Sequence, residues 1–285
     1  MNFDTVVNRQ FADTEQSYTA RDTILYALGV GFGTEPLDPA HLDYLFEERL
    51  VASPTMANVL GHPGMWARDP EYAIDWKKLL HAEQRLEMHG ALCAEGKIRG
   101  EHRILGIRDR GADRGAFLHQ QKKVIDASTG AKIATVTTTL MLRGDGGCGD
   151  WGDAPDDLET LPDTAPDHSI EVPVMEIQPL IYRLSGDVNP LHIDPDVAKS
   201  AGFPRPILHG LSTKGMAGYA LIRQFCDMDA SRLGSMAVRF SAPVLPGDTL
   251  RFNFWGSGPG TVRFEARATN RDDLKVLDRC TAQIG

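Results

Sequence analysis

The chain has 285 residues, 42% of them hydrophobic and 24% charged, with a formal net charge of −9. That composition belongs to a folded globular protein and excludes disordered, collagen-like and disulfide-framework classes. The acidic balance counts against non-specific binding to nucleic acid or to an anionic membrane, both of which need a basic footprint. It leaves room for a small anionic ligand met by a few local Lys or Arg.

Cys93, Cys148, Cys226 and Cys280 lie far apart and show no zinc-ligand spacing, so they read as free thiols of a reducing compartment. Met1–Val6 lacks the basic and apolar regions of a secretory signal. No apolar run approaches the roughly 18 residues of a membrane span. Ala282–Gly285 carries no peroxisomal or ER address. The expectation is a cytoplasmic protein with neither nucleic acid nor membrane as partner.

In chain order, the first predicted element is a helix over Arg21–Val30, with Ile24, Leu25, Ala27 and Leu28 on one face. Two strands follow, Phe117–Asp126 and Ala131–Leu142, around the turn signal Ala127-Ser128-Thr129-Gly130. Residues 144–167 contain no Lys or Arg and are dominated by Asp, Gly and Pro, which predicts a solvated linker. It divides the chain into domains 1–143 and 168–285, each of ordinary domain size.

The second domain repeats the order. A helix is predicted over Ser212–Phe225. Strands follow at Met236–Val244 and Thr249–Trp255 around Pro246-Gly247-Asp248, then at Val262–Ala268 and Leu274–Ile284. A helix followed by antiparallel strands, twice, is an α+β pattern. Pro36-Leu37-Asp38-Pro39 also resembles Pro190-Leu191-His192-Ile193-Asp194-Pro195. On these residues alone, duplication and chance both stay open.

The chemistry-bearing stretch is Ile181–Phe225, around Gly186-Asp187-Val188-Asn189-Pro190-Leu191-His192. Gly186 permits unusual backbone angles, and Pro190 fixes its own φ and restricts Asn189. Such a loop can aim a carboxylate and an imidazole at one point, where the pair can move two protons in one cycle. Further on, His209-Gly210 opens the helix, where an unpaired backbone N–H and the helix dipole suit an oxygen gaining negative charge.

Each residue also has a plainer reading. Asp187 after Gly is a turn former, Asn189 before Pro190 a turn residue, His192 a structural histidine, and His209 a cap or packing residue. A metal held by Asp187, His192 and either His209 or Asp194 fits no zinc spacing. Ser17 and Ser53 sit in no Gly-x-Ser-x-Gly elbow, and Gly29-Val30-Gly31-Phe32-Gly33 lacks the GxGxxG spacing.

Tyr182–His192, followed by Phe203–Gly210, resembles the hydratase 2 motif of MaoC-like R-specific enoyl-CoA hydratases. Val238-Arg239-Phe240 and Pro243–Asp248 resemble that family's hairpin. Tyr18–Asp22 and Leu25–Gly31 resemble the inactive half of its two-domain members. The resemblance implies a double hotdog: two antiparallel sheets, each wrapped round a central helix, with the site in the second half only.

It implies Asp187 and His192 as the catalytic pair, Asn189 as positioning residue and Gly210 as oxyanion donor. The reaction would be reversible hydration of a trans-2-enoyl-CoA to a (3R)-3-hydroxyacyl-CoA. CoA is then part of the substrate, and no separate cofactor or metal is expected. Arg239, Arg205 and Lys214 are the cations expected to meet CoA phosphates, with Arg183 a further candidate and His209 beside them in the binding set. Trp66 and Trp76 either line an acyl tunnel or belong to the core. A homodimer is compatible with this reading. The alternatives are a mesaconyl-CoA-type or bulky ring-bearing substrate, a non-catalytic acyl-CoA-binding subunit and a hotdog thioesterase.

Overall fold

In the computed structural model, which describes residues 1–285, eleven strands join in one antiparallel sheet. The first half contributes α1 (Phe3–Val7), β1 (Thr14–Tyr18), α2 (Ala20–Leu28), α3 (Pro39–Leu42), β2 (Leu79–Met88), β3 (Gly96–Asp109), β4 (Ala116–Asp126) and β5 (Lys132–Leu142). A two-residue strand, β6 (Trp151–Gly152), lies between the halves. The second half contributes β7 (His168–Pro173), α4 (Gln178–Tyr182), α5 (Pro195–Ser200), α6 (Gly210–Phe225), β8 (Leu233–Phe240), β9 (Thr249–Trp255), β10 (Gly260–Ala268) and β11 (Leu274–Ile284).

The strand order is β1-β3-β4-β5-β2-β8-β11-β10-β9-β7. Numbered within its own half, each set of five strands runs first, third, fourth, fifth, second, and the halves meet where β2 pairs with β8. Two copies of one topology, joined at equivalent strands, are what a duplication produces. The Asp38-Pro39 and Asp194-Pro195 pairs match in structure as well. Each Asp caps a short helix with Pro in its first turn, Asp38 accepting from Ala40 N–H at 2.9 Å and Asp194 from Asp196 N–H at 2.9 Å.

The copies differ in their centres. The second half's sheet packs around α6, which is buried along most of its length because sheet and first half enclose it. Val262, Phe264, Ala266 and Ala268 of β10 alternate inward and are fully buried. Between α3 and β2, where the first half would carry its equivalent of α6, no long helix forms, and the 3₁₀ turn Pro54–Asn58 takes its place among other short turns. The predicted helix at Arg21–Val30 forms as α2, but it corresponds to α4. The molecule thus has one long central helix rather than two. α6 lies close against the 3₁₀ turn, and a Cβ at Gly218 would stand 2.5 Å from the Thr55 methyl.

Residues 144–167, read from composition as a solvated linker, do not run as a loose chain. β6 pairs with β3, and Asp153 N–H donates to Leu105 O at 2.9 Å. Arg85 donates to Asp156 O, Arg263 pairs with Glu159, and Trp255 Nε1 donates to Thr164 O at 2.9 Å. Leu158 is buried. The segment is a strap pinned to strands of both halves. Composition missed this because its backbone partners and arginines lie elsewhere in the chain.

Candidate active site

The loop from Gly186 to His192 is shaped by its own short hydrogen bonds. Gly186 has φ +115°, a conformation costly for any residue with a Cβ. Asp187 Oδ1 accepts Asn189 N–H at 3.2 Å, and Asn189 Oδ1 accepts Leu191 N–H at 3.2 Å. Asn189 therefore caps the turn Pro190–His192 and holds the spacing between the two acid–base candidates. This is the turn role the residue type favours.

The fold brings three groups together. Asp187, His192 and His209 each offer one carboxylate or ring-nitrogen atom within 4.8 Å of the others. Asp187 is exposed and pairs with no cation, whereas both histidines are buried. His192 Nδ1 donates to Ile207 O at 2.8 Å. The neutral ring then carries its lone pair on Nε2. Burial lowers the His192 pKa, while the Ile207 bond and the Asp187 charge oppose that shift.

His209 stacks on His192 with ring centroids 3.7 Å apart. Its Nε2 donates to the Asp187 carbonyl at 3.1 Å, which ties the Gly186–His192 loop to the start of α6. Burial, with His192 alongside, pushes His209 down to about 4, so it is neutral at physiological pH. The trio is also a donor set of the kind a divalent cation uses. His209, however, commits its ring N–H to the Asp187 carbonyl and buries its other nitrogen, which is a structural assignment for that ring.

Gly210 follows as the first residue of α6. Its N–H has no partner within the chain, as befits a first-turn donor. A Cβ at this position would lie 3.3 Å from the Phe240 ring, so glycine fits closely here.

The expected phosphate-binding cations fare differently. Lys214 is fully buried, with Nζ donating to Asn58 Oδ1 at 3.0 Å, and cannot meet a ligand from solvent. Arg239 alternates with the buried Val238 and so points to the other sheet face, where it pairs with Glu83 at 2.7 Å. Arg205 is about half-exposed, beside Glu176 at 3.6 Å and Pro246 O at 2.5 Å, and does reach solvent. Trp66 belongs to a second, smaller core with Phe11 and Tyr72, and Trp76 lies under Arg68.

Two residues absent from the sequence reading stand near the site. His81 of β2 packs edge-on against Phe240, centroids 4.9 Å apart. His62 precedes Gly64, whose N–H it accepts at 3.0 Å. The Asp187 charge acts on both. No local motif marked them, because only the pairing of the halves brings them here.

Residues 157–276 match the model of the MaoC like domain, and residues 16–144 that of the MFE-2 hydratase 2 N-terminal domain. The chain therefore belongs to the MaoC-like dehydratase family in its two-domain, hydratase 2 form. It is 40% identical over 92% of its length to a 3-hydroxyacyl-thioester dehydratase of Mycobacterium tuberculosis, covering 91% of that protein. It is 36% identical over 98% of its length to a probable enoyl-CoA hydratase 2 of Dictyostelium discoideum, covering 95% of it. A crystal structure of a MaoC-like dehydratase from Phytophthora capsici superposes with a TM-score of 0.88 at 30% identity, over 100% of this chain and 98% of that one. A Mycobacterium tuberculosis protein with a double hotdog fold, at 15% identity and a TM-score of 0.62, agrees in fold alone.

No helix is long and apolar enough to cross a membrane. One relative, from Arabidopsis thaliana, is named as peroxisomal, and no feature of the fold favours the cytoplasm over that compartment.

Proposed function

We propose that the chain is a hydro-lyase that adds water reversibly across the trans-2 double bond of an enoyl-CoA, giving a (3R)-3-hydroxyacyl-CoA. The observation that carries this reading is the convergence of the Asp187 carboxylate and the His192 imidazole, beside the free N–H of Gly210.

His192, neutral and fixed through Nδ1, presents Nε2 as the base. A water held between His192 and Asp187 loses one proton to Nε2 while its hydroxyl bonds to C3. The C2–C3 π electrons move to the thioester carbonyl, and the oxygen gains charge against Gly210 N–H. One such donor contributes about 3–4 kcal/mol to the transition state. His192 passes its proton to the Asp187 carboxylate, and the enolate collapses as C2 takes that proton from Asp187 on the same face, which leaves both groups as they began. The pair exchanges protons within one cycle, so its pH behaviour belongs to the pair.

Among the three cations first expected at the CoA phosphates, Arg205 is the most exposed, whereas Arg239 is held by Glu83 and Lys214 is buried. A panel of enoyl-CoAs, followed by loss of the conjugated thioester's ultraviolet absorbance with the product's chirality determined, tests the reading. A thiol-reactive dye in the same assay detects free CoA, the product of a thioesterase. Absence of hydration across the panel refutes it.

A further inference from the structure

Lys214 is a fully buried amine with no carboxylate near it, on the same face of α6 as Gly210, one turn on. Burial pushes its pKa well below the ordinary value, and nothing in the proposed chemistry uses it. Its one partner, Asn58 Oδ1, belongs to the 3₁₀ turn of the first half. Asn58 Oδ1 also accepts Gln84 Nε2 at 3.2 Å, and Asn58 is itself anchored through Nδ2 on Thr55 O at 2.6 Å.

Gln84 Oε1 accepts from His81 Nε2 at 2.7 Å and from Thr138 Oγ1 at 2.8 Å. His81 sets its ring against Phe240, and the Phe240 ring fills the space beside Gly210. Lys122 steadies the far side, its Nζ donating to Ala57 O at 3.0 Å and Asn58 O at 2.9 Å.

These contacts form a closed circuit. It leaves α6 at Lys214, crosses the first half through Asn58, Gln84 and His81, and returns to α6 at Gly210 through Phe240. Its members are buried or half-buried, and each polar link is made in one geometry, so the circuit has little freedom to relax.

We propose that the half without the catalytic motif acts as a bracket for the oxyanion donor: Lys214, Asn58, Gln84 and His81 are positioning residues that hold the start of α6, and hence Gly210 N–H, against the place where the thioester oxygen gains charge. This rests on the hydratase reading above. It gives a physical reason for a buried polar network whose desolvation costs stability. A donor misplaced by a fraction of an ångström loses much of its effect, since transition-state contacts are geometry-limited.

The test uses the full chain, with Lys214→Met, His81→Phe and His81→Gln made singly. Lys214→Met removes a buried amine that has no counter-ion, and Asn58 Oδ1 keeps its bond from Gln84, so the melting temperature holds or rises. His81→Phe keeps the ring beside Phe240 and loses the bond to Gln84, whereas His81→Gln can restore a donor. The expected result is a drop in kcat of about tenfold or more for crotonyl-CoA hydration in Lys214→Met and His81→Phe. KM changes little, and His81→Gln recovers part of the loss.

A second readout needs no turnover. A dienoyl-CoA bound to Asp187→Asn protein shifts its ultraviolet band to longer wavelength as the carbonyl is polarised. The bracket substitutions, added to that background, reduce the shift. Unchanged kcat and an unchanged band shift in all variants overturn the bracket. A kcat loss that follows the melting temperature alone, with the band shift intact, also overturns it. A wild-type protein that binds the dienoyl-CoA but hydrates no enoyl-CoA overturns the hydratase reading instead, and the band shift still decides the bracket.

Discussion

Replacing Asp187 by asparagine isolates the acid–base pair from the fold. The side chain is exposed, pairs with no cation, and makes one hydrogen bond, from Asn189 N–H to Oδ1 at 3.2 Å. An asparagine oxygen can accept the same bond, so the loop keeps its shape. Surface changes of this kind stay within about 0.5 kcal/mol, or about 2 °C in melting temperature for a chain of this size. Catalysis loses its proton carrier to C2 and half of the grip on water. Positioned acid–base groups contribute roughly 10²–10⁴ in rate, so kcat falls by that factor, equivalent to about 3–5 kcal/mol. The assay is crotonyl-CoA hydration followed in the ultraviolet, with thermal melts in parallel. Activity within about tenfold of wild type, a loss below about 1.4 kcal/mol, refutes the role of Asp187. Loss of activity together with a collapsed melting temperature refutes the claim that the loop holds itself.

The pH dependence of kcat/KM gives a further check. In the proposed mechanism His192 is the base, and burial lowers its pKa from the ordinary 6.5, so the acid limb lies below that value; a limb above it is the contrary result. Burial pushes Lys122 down to about 7 in the folded protein, against about 10.4 when unfolded. The unfolded chain thus binds more protons over that window, and stability rises from pH 7 towards 9 by up to roughly 1.4 kcal/mol per pH unit. Denaturant melts at the two pH values measure this, and Lys122→Met reduces the slope, with buried Lys214 supplying what remains. At Gly106 a Cβ would stand 2.8 Å from Trp151 O and 2.9 Å from Ala154 N. Gly106→Ala therefore lifts the strap at a cost of about 1–3 kcal/mol; faster limited proteolysis within residues 144–167 is the expected sign, and an unchanged digest is the contrary one.

Local pattern carried much of the second half. Thr249–Trp255 and Leu274–Ile284 form strands at the expected bounds, and α6 begins two residues earlier than predicted because Gly210 and Leu211 complete its first turn. The strand expected to continue to Val244 ends at Phe240. β2 and β3 were not legible. Sequences such as Leu79–Met88 and Gly96–Asp109 carry charges on the outer face, where arginines meet carboxylates and the strap, and that masks the alternation of a half-buried strand.

The Asp187/His192 loop was legible because its residues are contiguous and shape their own backbone. Lys214 and Arg239 were misjudged because burial depends on which helix face or sheet face a residue takes. Their partners, Asn58 and Glu83, lie in the other half of the chain. His81 depended wholly on the β2–β8 pairing.

That pairing has a consequence for how such a molecule changes over time. In a symmetric pair of separate chains, every substitution occurs twice, once on each side of the axis. A residue that improves one site must be tolerated at its mirror position. Here β2 and β8 fuse two copies into a single sheet encoded by one reading frame. Each half can accept substitutions that the other never sees. The first can give up its central helix and its Asp and His while the second keeps both. The seam is thus what frees one copy to become apparatus for the other, and the asymmetry of the molecule is heritable because the join is covalent.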